Sequence, residues 1–466
     1  MNHAQHRGAT LVRGARVIGA RPGGVLLALA MVVAALVTAS AVRAAELRAL
    51  VGGTLVDGYG GAPIPDSVIL IDGERISAIG RVGELAVPEG AEVVSTAGLT
   101  VLPGLIDLQV RLAQLGHGDP ARRNGVYLPL AERVVMPATA RQLLYAGVTS
   151  ARDVGSPLEA ALSVRSRIRE GRIPGPTLWV SGPALEPMPL PGAALPRWAV
   201  KGAADARAKA ERLVHAGVDF LLVAGAADLA ADELAAIGVV AATTGTPWYG
   251  EVRRDADVAA ALAAGAHGLV GFGAGATATF PDEALSALGL RAARNARVPW
   301  TAAVSPLVNY EWLRANPAPL DDAGWREHLP PIIADDVRAS LRDLEGVTGL
   351  DMPALRRPLV GPRLKAARAA GAQLLVGSDA GAPAQLTSRA TWQEVEALVL
   401  DGGLTPLEAI GAATIEAAAA MGAQLETGSI SVGKYADIIA VRGDPLRHVE
   451  RLQDIAIVFR HGRRYR

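Results

Sequence analysis

Hydrophobic and polar positions alternate in two rhythms along this chain. In its middle, short apolar runs recur between longer alanine-rich stretches. The runs are TVLPGLIDLQV, GVTSARDVG, TLWVSGPAL, VDFLLVAG, TPWYGEV, HGLVGFG, VPWTAAV and AQLLVGSDAG, and each predicts a strand. The stretches between them, such as ADARAKAERLVHAG and DADVAAALAAG, predict amphipathic helices. Eight strand–helix units over about 310 residues is the count of a TIM (β/α)8 barrel enlarged by insertions. The longest insertion, residues 309–362, reads as a cover over the barrel mouth, an interface, or plain surface elaboration.

Both ends of the chain have another texture. LVGGTLVDGYGGAPIPDSVILIDGERISAIG and GSISVGKYADIIAVRGDPLRHVERLQDIAIVFRHGRRYR are β-rich runs broken by Gly, Pro and Asp-Gly turns. The expected architecture is therefore α/β. Residues 101–423 form the barrel, and residues 45–100 and 424–466 together form a small β-sandwich-like domain.

Residues 1–44 stand apart. Arg7, Arg13, Arg16 and Arg21 precede an apolar run from Val25 to about Ala39, and Val42-Arg43-Ala44 has the small-x-Ala form of a cleavage site. This predicts a signal peptide cut after Ala44 and a periplasmic or secreted protein, the alternative being an uncut membrane anchor. The 46 basic residues of the full chain match its 46 acidic ones. Cleavage would remove five Arg and no acid, leaving 41 against 46, so nothing points to nucleic acid. Cysteine is absent, which removes thiolate nucleophiles, thiolate metal ligands and disulfides together.

Several segments carry a family likeness. LPGLIDLQV resembles the first barrel strand of the amidohydrolase superfamily, in its imidazolonepropionase and prolidase-like branch, and GVTSARDVG resembles the second. GSDAGAP, GLTPLEAIGAATIEAAAAMG and GSISVGKYADIIAVRGDPL resemble its closing third. The resemblance implies a hydrolase of C–N bonds with a metal at the barrel mouth. It implies ligands at six places, which fall on Gln109, Arg111, Leu222, Glu251, Gly271 and Asp379. Of these only Asp379 keeps the family's residue. Trp392 stands where a histidine is usual on the helix after the eighth strand. Catalytic zinc needs about three protein ligands, mainly imidazole or carboxylate. Gln is a poor neutral ligand, Arg stays protonated and repels a cation, and Leu and Gly have no donor atom. His117, in the loop after the first strand, is a candidate substitute ligand, although a lone loop histidine is more often solvated or capping.

No cofactor is therefore expected; zinc or another divalent metal would enter only if these assignments were wrong. Arg111, Glu251 and Asp379 should meet in the mouth, where an Arg fork replaces the metal charge between two acids. One reading is a structural ion pair in a silent relative that binds a small molecule, or that pairs with itself or with an active amidohydrolase. A second is metal-free acid–base hydrolysis by Glu251 and Asp379, and a third is a purely structural or interaction protein. Gln109, Trp248, Tyr249, Trp300 and Trp392 are the further pocket candidates. Ordinary barrel packing is the alternative for the aromatics. In GLTPLEAI, Thr405 reads as a helix N-cap with Glu408 completing a capping box.

Overall fold

The structure is a computed structural model, which describes residues 47–188, 196–272, 280–294, 297–326, 328–342 and 353–466. The expected export signal lies outside the described residues. Among those described, no helix is long and apolar enough to cross a membrane.

Five strands open the chain: β1 (Leu47–Leu55), β2 (Ile64–Asp72), β3 (Arg75–Arg81), β4 (Glu92–Ser95) and β5 (Leu99–Pro103). The barrel strands follow as β6 (Leu105–Val110), β7 (Val148–Asp153), β8 (Thr177–Val180), β9 (Ala184–Glu186), β10 (Arg197–Ala199), β11 (Leu221–Ala224), β12 (Trp248–Glu251), β13 (Gly268–Val270), β14 (Val298–Thr301) and β15 (Ala372–Leu375). Three strands close the chain: β16 (Ile438–Arg442), β17 (Ile455–Arg460) and β18 (Arg463–Arg464).

The two chain ends share one sheet of order β18-β17-β16-β5-β1-β2-β3, with β4 added to β1. The period-2 pattern of VILID explains its two apolar faces. Ile69 and Ile71 pack with Leu50 and Phe459, while Val68 and Leu70 pack with Ala49. Gly104 is the passage from this sheet to the barrel. Its N–H donates to Asp437 O at 2.9 Å, and a Cβ there would stand 2.1 Å from Thr149 Oγ1.

Each of the eight expected segments supplies a barrel strand, but the first is split at Gly104, its Thr100–Pro103 part belonging to β5 of the terminal sheet, and the third is divided into β8 and β9. The strands run parallel to their neighbours, in the orders β6-β7-β8 and β10-β9-β11-β12-β13-β14-β15. Closure comes between β15 and β6. Leu108 N–H donates to Val376 O at 3.0 Å, Asp379 N–H to Gln109 O at 2.8 Å, and Val110 bridges Ala380.

Alternation along the strands separates two packing layers. Leu221, Val223, Trp248, Leu269 and Trp300 join the large core, whereas Phe220, Leu222, Ala224, Tyr249 and Val270 form a separate cluster. Paired residues of adjacent parallel strands share a face, so the second set lines the barrel interior. The insertion expected at 309–362 supplies Tyr310, Leu313, Trp325 and Val337 to another apolar cluster. There it meets Leu115 and Tyr127 of the β6–β7 connection and Leu386 after β15.

Candidate active site

Three strand ends bring the central residues together. Arg111 follows β6, Glu251 ends β12 and Asp379 lies after β15. Arg111 Nε donates to Asp379 Oδ1 at 2.5 Å, and its Nη2 donates to Glu251 Oε1 at 3.3 Å. Gln109 completes the group: its Nε2 donates to Asp379 Oδ1 at 2.9 Å and its Oε1 accepts from Thr301 Oγ1 at 3.1 Å. Arg111, Glu251 and Asp379, expected to meet, thus lie together, and Gln109 joins them.

The local backbone explains their aim. Asp107 pairs with Ala151 but Val110 pairs with Asp153, so β6 carries one extra residue between them, a β-bulge. Because of this bulge Asp107 does not share a side with Gln109 and Arg111. Asp107 instead accepts from Ser378 Oγ at 2.5 Å and Thr391 Oγ1 at 2.7 Å, while Gln109 and Arg111 reach Asp379. Asp379 has φ +54°, a left-handed conformation that Asp tolerates better than most residues. Gly377 leaves room for the cluster, because a Cβ there would stand 2.7 Å from Thr301 Cβ and 2.8 Å from Gln109 Cβ.

The ion pairing extends further than the sequence suggested. Glu251 Oε2 accepts from Arg197 Nη1 at 2.8 Å, and Arg197 Nη1 lies 3.4 Å from Glu186 Oε2. Arg253 also pairs with Glu186, which is fully buried. Asp379, Arg111, Glu251, Arg197, Glu186 and Arg253 thus form one chain of alternating charge. Burial by itself would raise the Glu251 pKa, but the Arg197 and Arg111 charges outweigh it and hold the carboxyl well below the usual range. Burial likewise disfavours the Arg111 charge, and the Asp379 and Glu251 carboxylates more than restore it. Glu186 Oε1 and Arg197 Nε are buried without hydrogen-bond partners among the described residues.

Arg197, Glu186 and Arg253 are the residues that the sequence reading missed. Arg253 shares the strand parity of Glu251, and Glu186 directly follows TLWVSGPAL, so both left a faint signal. Arg197 left none. Glu394 was also missed as a placed acid, and Asp153 has a structural role. Asp153 accepts from Leu112 N–H at 2.9 Å, pinning the chain just beyond Arg111, and burial pushes its pKa up to about 6. Glu394 accepts from Val304 and Ser305 N–H at 3.2 and 2.6 Å, and burial pushes it up to about 7.

The aromatic candidates stand elsewhere. Trp248 and Trp300 belong to the large core, with Trp300 packed at tilted ring angles against Phe272 and Phe280 and its Nε1 donating to Gly271 O at 2.7 Å. Parity is the reason: with Glu251 and Thr301 facing inward, the residues beside them on the helical side are Gly250 and Trp300, and Trp248 lies with Gly250. Tyr249 does face the interior, but one layer below Glu251, where it packs over the buried Arg152 guanidinium at 4.1 Å. Trp392 sits on the helix Ala390–Leu400, 5.2 Å from the guanidinium carbon of Arg389.

The family metal positions can now be placed. Ala224, not Leu222, lies level with Glu251, and Leu222 pairs with Tyr249 below. Neither side chain has a donor atom. A Cβ at Gly271 would lie 4.0 Å from Gln109 Nε2, so this glycine does border the site. His117 is not free to ligate: its Nδ1 accepts from Asp119 N–H at 3.0 Å and its Nε2 lies 3.1 Å from Asp336 Oδ2. A zinc ion would have to sit about 2.0–2.2 Å from a carboxylate oxygen. The Arg111 guanidinium already fills the space between the Asp379 and Glu251 oxygens. Among the described residues no three His, Cys, Asp or Glu side chains group so as to hold a metal. The mouth as built does not fit one.

Comparison with known proteins agrees with the fold. Residues 343–464 match the amidohydrolase family. A Xaa-Pro dipeptidase with methionine bound in its active site is similar over 90% of this chain and 99% of its own, at 21% identity and a TM-score of 0.69. A prolidase complexed with N-methylphosphonate-L-proline covers 90% and 99%, at 22% identity and 0.66. Molinate hydrolase covers 90% and 95%, at 21% identity and 0.67. No curated protein sequence matches the chain.

Proposed function

From the chain's place in the amidohydrolase superfamily, supported by its family match and its fold, we propose that it is a member without metal chemistry whose barrel mouth binds a small polar molecule. The observation that carries this reading is the Arg111 guanidinium lodged between Asp379 and Glu251. It supplies a fixed positive charge where a metal would otherwise bridge the two acids, and it cannot lower the pKa of a bound water as zinc does.

The same geometry counts against metal-free hydrolysis by Glu251. Its carboxyl is held ionised by Arg197 and Arg111 and has no proton to give a leaving amine. Binding is a better use of the site. Buried polar atoms are nearly always hydrogen-bonded, and among the described residues a carboxylate oxygen of Glu186 and the Nε–H of Arg197 are left over beside the Arg111 network.

Elemental analysis of the purified full chain tests the reading. The expected content is well under one equivalent of Zn, Fe, Mn or Ni, with no saturable zinc uptake by calorimetry. Xaa-Pro dipeptides should not be turned over with or without added metal. One equivalent of tightly held metal lost on Arg111→Glu or Asp379→Asn substitution would overturn the proposal.

A further inference from the structure

A second cavity lies at the opposite end of the barrel, where the strand beginnings meet the terminal sheet. It measures about 540 Å³ and is lined by residues of β7, β8 and β17. Its wall includes Ser150, Thr177, Trp179, Arg460 and His461, with Arg169 at the edge. Ser150 pairs with Thr177 in the β7–β8 ladder, so the two residues lie side by side.

The polar groups in this wall are incompletely used. Arg460 is 6% exposed, yet its one hydrogen bond among the described residues runs from Nε to Thr177 Oγ1 at 3.2 Å. Among the described residues no carboxylate pairs with it, and a buried guanidinium without an acid is costly. Ser150 is fully buried and its hydroxyl has no hydrogen-bond partner among the described residues. Arg169 is exposed and makes no ion pair among the described residues. The acids nearby are already engaged: Glu426 with Arg75 at 2.8 Å, and Asp437 with Thr427 Oγ1 and His461 N–H, both at 2.8 Å. Glu74 is exposed.

The backbone holds these groups in place. His461 and Gly462 have φ +46° and +68°, as the two-residue hairpin between the paired Arg460 and Arg463 requires. The His461 ring is stacked on Tyr435 with centroids 4.1 Å apart, and its Nε2 lies 3.2 Å from Thr177 Oγ1. Trp179 adds an apolar wall.

We propose that this cleft binds a small organic molecule through an oxyanion, with the Arg460 Nη groups and Arg169 as its donors and Trp179 beside its apolar part. A carboxylate and a phosphate both match a guanidinium fork. The site lies across the barrel from Arg111 and is independent of what occupies the mouth.

Calorimetric titration of the full chain at constant ionic strength tests this with two probes, inorganic phosphate and benzoate. Saturable binding of either is expected, and the probe that binds identifies the anion type. Arg460→Gln should weaken it at least tenfold and Arg169→Gln at least threefold. Arg169 is exposed, so its variant decides the matter should the Arg460 variant fail to fold. Absence of saturable binding by both probes would overturn the proposal, as would binding that the Arg169→Gln and Arg460→Gln variants leave unchanged.

Discussion

Arg111 places one guanidinium between two acids, Asp379 and Glu251. Asp379 retains Gln109 as a neutral partner, but its only ion pair among the described residues is with Arg111. Glu251, in contrast, keeps Arg197 if Arg111 is lost. In urea unfolding Arg111→Ala should therefore destabilise chiefly through Asp379, by somewhat less than the about 3–5 kcal/mol of a fully buried pair, since it leaves a partly buried acid, 15% exposed, without its cation. Adding Asp379→Asn should recover much of that loss; a double variant no more stable than the single one would refute the substitute-cation role. Glu251 makes a matching prediction in pH. Its folded pKa is depressed, so its stabilisation is present above the ordinary carboxylate pKa of about 4.3 and is lost as pH falls toward the folded value. The stability gap between the wild-type protein and Glu251→Gln should be widest near neutrality and shrink from about pH 5 to pH 2. A gap that stays constant across that range would show that the Arg charges do not act on Glu251 as described.

At the level of elements, the strand segments were legible because β-branched runs between Gly and Asp turns have little else to become. The same holds for the helix Pro406–Ala412, whose Thr405 side chain accepts from Glu408 N–H at 3.2 Å while Glu408 accepts from Thr405 N–H at 2.8 Å. Capping is local and needs no tertiary partner. The bulge in β6 was not legible, because an extra residue shows only against the strand that pairs with it. Gly377 belongs to the same element-level problem. Its replacement by Ala places a methyl against Thr301 and Gln109 on neighbouring strands, with no flexible side-chain end to yield. Gly377→Ala should cost about 1–3 kcal/mol in thermal or chemical unfolding. An unchanged midpoint would mean that the three strands are less tightly closed than their geometry indicates.

Across the whole molecule, the two ends of the chain are joined in one sheet, and the hairpin at His461-Gly462 is wedged against the β2–β3 turn. A Cβ on Gly462 would lie 1.9 Å from Gly73 O, at a φ of +68°. Gly462→Ala should thus lower stability by about 2 kcal/mol or more and loosen β17 and β18 first, as faster amide exchange in those strands than in the barrel. Uniform exchange across the protein would argue that the terminal sheet is not a separate cooperative unit. The strand count, the shared β texture of the ends and the residue types at the strand ends were all present in the linear chain, since each depends on local pattern or on identity alone. Gln109, Arg111, Glu251 and Asp379 could be brought together on paper because barrel strands end on a common face. What tertiary structure alone decided was the company they keep. Arg197 enters from a short edge strand beside β9, Glu186 meets Arg253 across β11, and Trp300 turns away from the mouth while Gly271 faces it. Those outcomes depend on register, bulge and shear between strands far apart in sequence, and no local pattern encodes such distances.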